Sequence, residues 1–233
     1  MFKRIFHLFK IGRKLSSSGA IETIGEIYQI PLSIKLFFDL ISIGSNKKLL
    51  STSKKPGEKL CDALEGMGTT FIKLGQFLAT RPDIIGEELA EDLVKLQDKL
   101  PAFKVNEAKE IIRKELGENQ FKNISNISDP IAAASIAQVH IANINFEGKK
   151  KEVAIKILRP DIEKLFNEEL DALLLFAYII ENSISKTKRL KLVEVVYLLK
   201  EITNIEMDLR FEAAAANELY ENTKNDIGFN VPK

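Results

Sequence analysis

Two features of this chain have the residue types and spacing to do chemistry, a lysine set in an apolar strand and a run of small residues upstream of it. In Val153-Ala154-Ile155-Lys156-Ile157-Leu158, strand alternation sends Val153, Ile155 and Ile157 to one face and Ala154, Lys156 and Leu158 to the other. Lys156 is therefore expected among apolar neighbours. Burying an ammonium unpaired costs several kcal/mol, so a carboxylate or a phosphate is the expected partner. The plain alternative is a stem that snorkels to a wet edge. Upstream, Ala132-Ala133-Ala134-Ser135 leads into the β-branched run that ends at His140, with Pro130 just before it. A proline and β-branched residues on either side disfavour a long helix and favour a turn between strands. Together, turn and lysine read as the core of a nucleotide site, Asp129 to Pro160.

Further side chains could complete such a site. Lys73 and Gln76, in Lys73-Leu74-Gly75-Gln76, are three residues apart on a predicted helix and so share a face. They can point together into a site, or Lys73 can be an ordinary exposed lysine. Near the end of the chain, Asp208 and Glu212 are spaced i,i+4 on what reads as one long helix. Stacked carboxylates are unfavourable unless a cation lies near. Glu206 and Glu212 fall about 120° apart on that helix and can serve different partners. The alternative is an acidic, solvated helix face.

Several elements must position these groups. In MFKRIFHLFKIGRKL, Phe2, Ile5, Phe6 and Phe9 recur at helical spacing among Lys3, Arg4, Lys10, Arg13 and Lys14, which reads as an interfacial amphipathic helix or as a helix packed on its own domain. Ile21 to Ile43 is apolar but interrupted by Glu22, Glu26, Lys35 and Asp39 and divided into two helices by Pro31, so it is too charged to span a bilayer. Gly44 to Gly57 reads as a linker. A helix over Glu58 to Thr80 carries Leu60, Leu64, Met67, Phe71, Leu74 and Leu78 along one stripe, with Gly66, Gly68 and Gly75 allowing close approach. Helices follow over about 86–100 and 106–116, then a polar loop over 118–128. Past Lys156 come the Arg159-Pro160-Asp161 turn, a helix to about Ser185 with an apolar run from Leu170 to Ile180, and a long helix over about 190–222. A turn at Asp226-Ile227-Gly228 leads into a short strand, Phe229 to Val231.

Composition narrows the class. The chain has 233 residues, 45% of them hydrophobic and 29% charged, as expected of a folded protein. Its single cysteine, Cys61, excludes an internal disulfide, and two histidines with one cysteine give no metal-ligand spacing. The net charge is +1, but residues 1 to 60 carry eleven Lys and Arg against four Asp and Glu, and the remainder twenty-three against twenty-nine. A basic end on an acidic body suggests an anionic surface. Because its cations alternate with phenylalanine and aliphatic residues at helical spacing, a membrane is expected and nucleic acid is not. A secretory signal is not expected in MFKRIFHLFKIGRKL, because charge breaks its apolar run every few residues.

The order strand, turn, strand, loop, strand with lysine is a kinase-type opening. Ala132-Ala133-Ala134-Ser135 followed by Val153-Ala154-Ile155-Lys156 resembles the UbiB/ADCK family of atypical, protein-kinase-like proteins. The KxGQ motif at Lys73 to Gln76, with Thr80-Arg81-Pro82-Asp83 and Leu96-Gln97-Asp98 after it, resembles the N-terminal extension that defines that family. The resemblance implies that Lys73 and Gln76 face the nucleotide pocket and occlude the place where a protein kinase admits a peptide. It also implies that Glu212 is the helix C glutamate that pairs with Lys156, and that Glu206 and Asp208 form an ExD motif that meets Lys73. The implied cofactor is ATP or ADP with magnesium, held on this side by Ala132, Ala133, Ala134, Ser135, Lys156 and Glu212.

The expected fold class is α+β: amphipathic helices and linker over 1–57, a KxGQ helical extension over 58–122, and a partial kinase-like small lobe over 123–233, a short antiparallel sheet plus helix C. A kinase also needs a catalytic Asp/Asn loop and a DxG metal segment. Asp226-Ile227-Gly228 follows Glu212 too closely to be the latter, so this side of the site is expected to need a large lobe, possessed by a separate chain if the gene is split. The expected function is an ATP-binding, UbiB-type role in ubiquinone biosynthesis, peripheral on the cytoplasmic side of a membrane, with quinone-pathway lipids as further partners. The alternatives are a non-enzymatic lipid-binding module and the remnant of a split or decayed gene.

Overall fold

The computed structural model describes residues 2–27, 31–41, 43, 54–96, 100–183 and 185–232. The fold is α+β, with many helices and one four-stranded antiparallel sheet. Two compact units are present, Met1–Ala172 and Leu173–Lys233.

The first unit opens with α1 (Phe2–Ser17), α2 (Ala20–Ile27) and α3 (Leu32–Ile41). α4 (Pro56–Met67) begins with proline in its first turn, where the missing N–H costs nothing, and Glu58 accepts a hydrogen bond from the Lys55 N–H at 3.3 Å. The sequence predicts one helix over Glu58 to Thr80, whereas the chain breaks it at Gly68 into α4 and α5 (Thr69–Ala79). Gly68 has φ +95° and ψ −169°, a conformation open to glycine alone. The expected stripe survives the break, since Leu60, Leu64, Met67 and Phe71 are all buried.

α6 (Pro82–Ile85) and α7 (Glu87–Leu93) follow, with Leu89 and Leu93 in the same core. α7 ends earlier than the predicted helix, in a turn where the Lys95 N–H donates to the Asp92 carbonyl at 3.2 Å. Gln97 and Asp98 lie outside the described residues, as does most of the predicted linker. α8 (Val105–Leu116) stops at Gly117, as predicted. The predicted polar loop after it holds a short helix, α9 (Glu118–Phe121), and the first strand, β1 (Ile124–Ser125).

β2 (Pro130–Ala133), β3 (Ala137–Phe146) and β4 (Lys149–Leu158) complete the sheet, with β3 paired to each of the other three. The β3–β4 hairpin closes through Glu147 and Gly148, both at positive φ, the geometry that matches the twist of the flanking strands. Ala108 and Ile112 of α8 bury Ile157 of β4, with Phe103, Phe121, Ile124 and Ile155 packed around them. One face of the sheet is thus covered by helices that precede it in sequence.

α10 (Ile162–Ser183) starts in the first unit and ends in the second, which continues with a 3-10 turn, Ser185–Leu190, and then α11 (Leu192–Met207) and α12 (Leu209–Thr223). The predicted long helix is therefore two helices that break at Asp208, whose φ of −95° and ψ of 91° are extended. The physical reason is a local cap: the Asp208 carboxylate accepts from the Arg210 N–H at 3.1 Å and starts α12. Phe229 to Val231 form no strand. Among the described residues no helix is long and apolar enough to cross a membrane.

Candidate functional site

Strand register brings the lysine and the alanine turn to one level of the sheet. Val139 of β3 pairs with Ala132 of β2 on one side and with Lys156 of β4 on the other. Directly paired residues project to the same face, so Ala132, Val139 and Lys156 form one rung about 10 Å wide. Ile141 and Ala154 form the next. On the opposite, covered face lie Gln138, His140, Ile155 and Ile157. Lys156 is exposed, so it stands on the open face, at a wetter position than its apolar strand suggests. An apolar ledge ending in a cation suits a flat heterocycle that carries an anionic tail.

The turn that ends β2 is closed and held from outside. The Ala134 N–H donates to the Ala137 carbonyl at 2.8 Å. Arg159, at the end of β4, donates to the Ala134 carbonyl from Nε at 3.0 Å and from Nη2 at 2.8 Å, and to the Pro101 carbonyl from Nη1 at 2.9 Å. A guanidinium can span two backbone segments because its fork of donors is rigid. Ser135 is buried, and its carbonyl accepts from Thr69 Oγ1 at 3.4 Å.

That last contact orients α5. Thr69, Lys73 and Gln76 are spaced i, i+4, i+7 and share one helix face. The side of α5 that touches the alanine turn is thus the side on which Lys73 and Gln76 lie, one and two turns further along, both half-buried. Gly75 sits on another side of the helix, where a Cβ would collide with the side chains of Leu96 and Leu64. Its close approach is to the protein's own core.

The carboxylates belong to the second unit. Glu206 is exposed near the end of α11, and Glu212 is exposed in the first turn of α12. Asp208 lies between the helices, and its oxygens pair with Arg210 Nε at 2.8 Å and Nη2 at 2.6 Å. The arginine holds the Asp208 carboxyl below the usual carboxylate range, first through this hydrogen bond. Asp208 and Glu212 do not share one continuous helix, since Asp208 is the extended N-cap of α12 and Glu212 lies in that helix's first turn. The cation that Asp208 requires is Arg210. Among the described residues no three His, Cys, Asp or Glu side chains converge as metal ligands, so the residues that would hold magnesium are not defined here.

Two further arrangements had not been read from the sequence. On the covered face, Gln138 Oε1 accepts from the Phe103 N–H at 2.9 Å, while its Nε2 donates to the Phe103 carbonyl at 3.2 Å and to His140 Nε2 at 2.8 Å. His140 Nε2 must then be an acceptor, so Nδ1 carries the proton toward the Ser128 carbonyl, 2.8 Å away. The signal was two polar residues two apart in an apolar strand. In the helical part, Lys14 Nζ lies 3.2 Å from Glu169 Oε1 of α10, 5.4 Å from the Phe71 ring centre, and beside Gly68 at the start of α5. Partners so distant in sequence leave no local pattern.

The chain as a whole is similar to known proteins of one family. The family model described as "ABC1 atypical kinase-like domain" matches residues 95–233. The chain is 37% identical over 215 residues to a protein of Marinobacter nauticus named "Probable protein kinase UbiB", covering 91% of this chain and 38% of that protein. It is 36% identical over 172 residues to the protein of the same name from Azotobacter vinelandii, covering 73% and 32% respectively. For that of Tolumonas auensis, the identity is 35% over 227 residues, covering 96% and 40%. The chain therefore spans two fifths or less of the length of these relatives.

Proposed function

This chain belongs to the ABC1 atypical kinase-like family, and on that premise we propose that it supplies the small-lobe side of an adenine-nucleotide site in a UbiB-type protein that supports ubiquinone biosynthesis at a membrane. The observation that carries the reading is the shared rung of Ala132, Val139 and Lys156, which sets a lysine at the edge of an apolar ledge beside the alanine turn. The ledge would receive the adenine, and Lys156 the phosphates. Glu212 would pair with Lys156, and Glu206 and Asp208 would meet Lys73, with Asp208 exchanging or sharing its Arg210 contact. Magnesium would come with the nucleotide, neutralising phosphate charge. A large lobe carrying the catalytic Asp/Asn loop and the DxG aspartate is the proposed macromolecular partner, and an anionic membrane surface with quinone-pathway lipids the proposed setting.

Titration with ATP and magnesium, followed by thermal shift and calorimetry, tests this reading. A hydrogen bond from a charged group contributes about 1.5–3 kcal/mol, so Lys156→Ala should weaken nucleotide binding by about ten- to a hundredfold. Equal binding by wild type and Lys156→Ala would place the nucleotide elsewhere. No binding by wild type, alone or with a large lobe added, would remove the proposal.

A further inference from the structure

We propose that the outward face of α3 is a docking surface for anionic lipid, whereas the sequence pattern offers α1 either as an interfacial helix or as one packed on its own domain. The proposal rests on the peripheral-membrane part of the function proposed above and names the element that makes the contact.

α3 is apolar on two sides. Phe38 is buried against the protein, 3% exposed, whereas Leu32, Leu36, Phe37 and Leu40 are 70%, 58%, 48% and 68% exposed. At 100° per residue these four occupy an arc of about 140°, in which Ser33 is the one polar residue. A helix with one apolar face needs one partner, and this one has a second face left over. Ile43, just past the helix, is 70% exposed as well. α1 behaves differently: among its described side chains Ile11 is buried in the protein and only Phe9 and Lys10 are exposed, so its second half packs inward.

Charge selects the occupant. At 100° per residue Lys35 lies exposed about 60° beyond the Leu32 edge of the arc, with the half-buried Asp39 about 20° beyond the same edge, and Lys10 is exposed on α1, which packs beside α3. Lys47 and Lys48 follow α3 in the sequence, within the stretch of eleven cations against four anions. A second copy docked face to face would bring these cations together, which costs energy, whereas an anionic headgroup layer neutralises them. The rest of the chain carries more acidic than basic residues, so an anionic bilayer attracts this end and repels the body. Ten residues span about 15 Å, half of a hydrocarbon core, so α3 fits in the plane of the interface.

The chain contains no tryptophan, so Leu36→Trp gives a single reporter. With vesicles of phosphatidylglycerol and phosphatidylcholine its emission should shift to the blue and be quenched by brominated acyl chains. Leu36→Glu/Leu40→Glu should lower vesicle partitioning about tenfold or more, with far-UV circular dichroism unchanged because both positions are exposed. Unaltered partitioning of this variant, or a reporter that stays unquenched, overturns the α3 assignment. If flotation then disappears on deleting residues 1 to 15, the membrane reading stands and only α3 falls. If the wild type does not float at all, both fall, while nucleotide binding remains a separate measurement. If the wild type is a dimer by light scattering and the variant is a monomer that still floats, the face belongs to a second copy and the proposal is wrong.

Discussion

Lys14→Met should destabilise the protein far more than loss of a surface lysine does. The Glu169 side chain is only 6% exposed, and among the described residues its single hydrogen-bonding or ionic partner is Lys14. Removing one partner of a buried pair leaves an uncompensated charge, at a cost of about 3–5 kcal/mol. The Lys14 side chain is 37% exposed, however, so water can approach the pair, and the expected cost falls to about 2–3 kcal/mol. Methionine keeps an apolar stem near Phe71 but loses the ring–cation attraction, about 0.5–1 kcal/mol within that total. Glu169→Gln should cost less, because the remaining ammonium has solvent. In the double variant no charge is stranded, so the effects should fall short of additivity by about 1–2 kcal/mol. Urea unfolding followed by circular dichroism gives the global numbers. Hydrogen exchange of the Phe71 and Ile72 amides, which bond to the Gly68 carbonyl, reports locally on the start of α5. Additivity within about 0.5 kcal/mol would show that the two side chains are not coupled, and the reasoning would fail.

Two further perturbations test the packing behind α5. Burial, helped by the nearby Asp92 charge, pushes the Cys61 thiol up to about 11, and its Sγ donates to the Asp92 carbonyl at 3.3 Å. The native thiol thus keeps its proton where the unfolded thiol, near 9, has lost it, so this contribution is whole below pH 9 and is lost as pH rises toward 11. A disulfide reagent at pH 8 should react slowly until urea is added, and Cys61→Ala should flatten the decline in stability between pH 9 and 11; fast native labelling would contradict both. Gly75→Ala should destabilise by about 1–3 kcal/mol through overpacking, despite alanine's better helix propensity. Leu96 and Leu64 are each only 5% exposed and cannot swing aside. A higher melting temperature would refute that.

What the sequence made legible was periodic or local. Period-two alternation located β4 and assigned Lys156 its face, a β-branched run pointed to the start of β3, and a glycine after an amphipathic run ended α8 where expected. Two breaks escaped because apolar periodicity continued through them: Gly68 keeps the stripe of α4 and α5 in register, and Asp208 interrupts a helical pattern with a cap that needs Arg210 to be recognised. Exposure was not legible either. The apolar neighbours of Lys156 suggested burial, yet which face of a strand is covered depends on distant elements, here α8. Contacts such as Lys14 with Glu169, or Gln138 with Phe103, join segments whose proximity only the folded chain creates.

The alanine turn invites comparison with glycine-rich loops that offer backbone N–H groups to phosphate, and here one of its amides and two of its carbonyls are already engaged within the protein. The Ala134 N–H closes the turn, the Ala134 carbonyl is taken by Arg159, and the Ser135 carbonyl by Thr69. The methyl groups further restrict the backbone. In the proposed nucleotide site, the Ala134 amide would therefore not be offered to phosphate, Lys156 would be the cation that meets it, and Arg159 would act as a positioning residue that holds the turn at the level of that lysine. Arg159→Lys tests the point, because an ammonium keeps the charge but cannot span the Ala134 and Pro101 carbonyls in one rigid fork. Losing one or two such bonds should cost about 1–3 kcal/mol in urea unfolding. The Ala134 amide should exchange faster, and its neighbour across the closure, Ala137, should shift in the amide spectrum. If nucleotide binds as proposed, its affinity should fall by less than in Lys156→Ala, since the cation that meets phosphate is retained. A turn as protected in Arg159→Lys as in the wild type would mean that the guanidinium is not what fixes it.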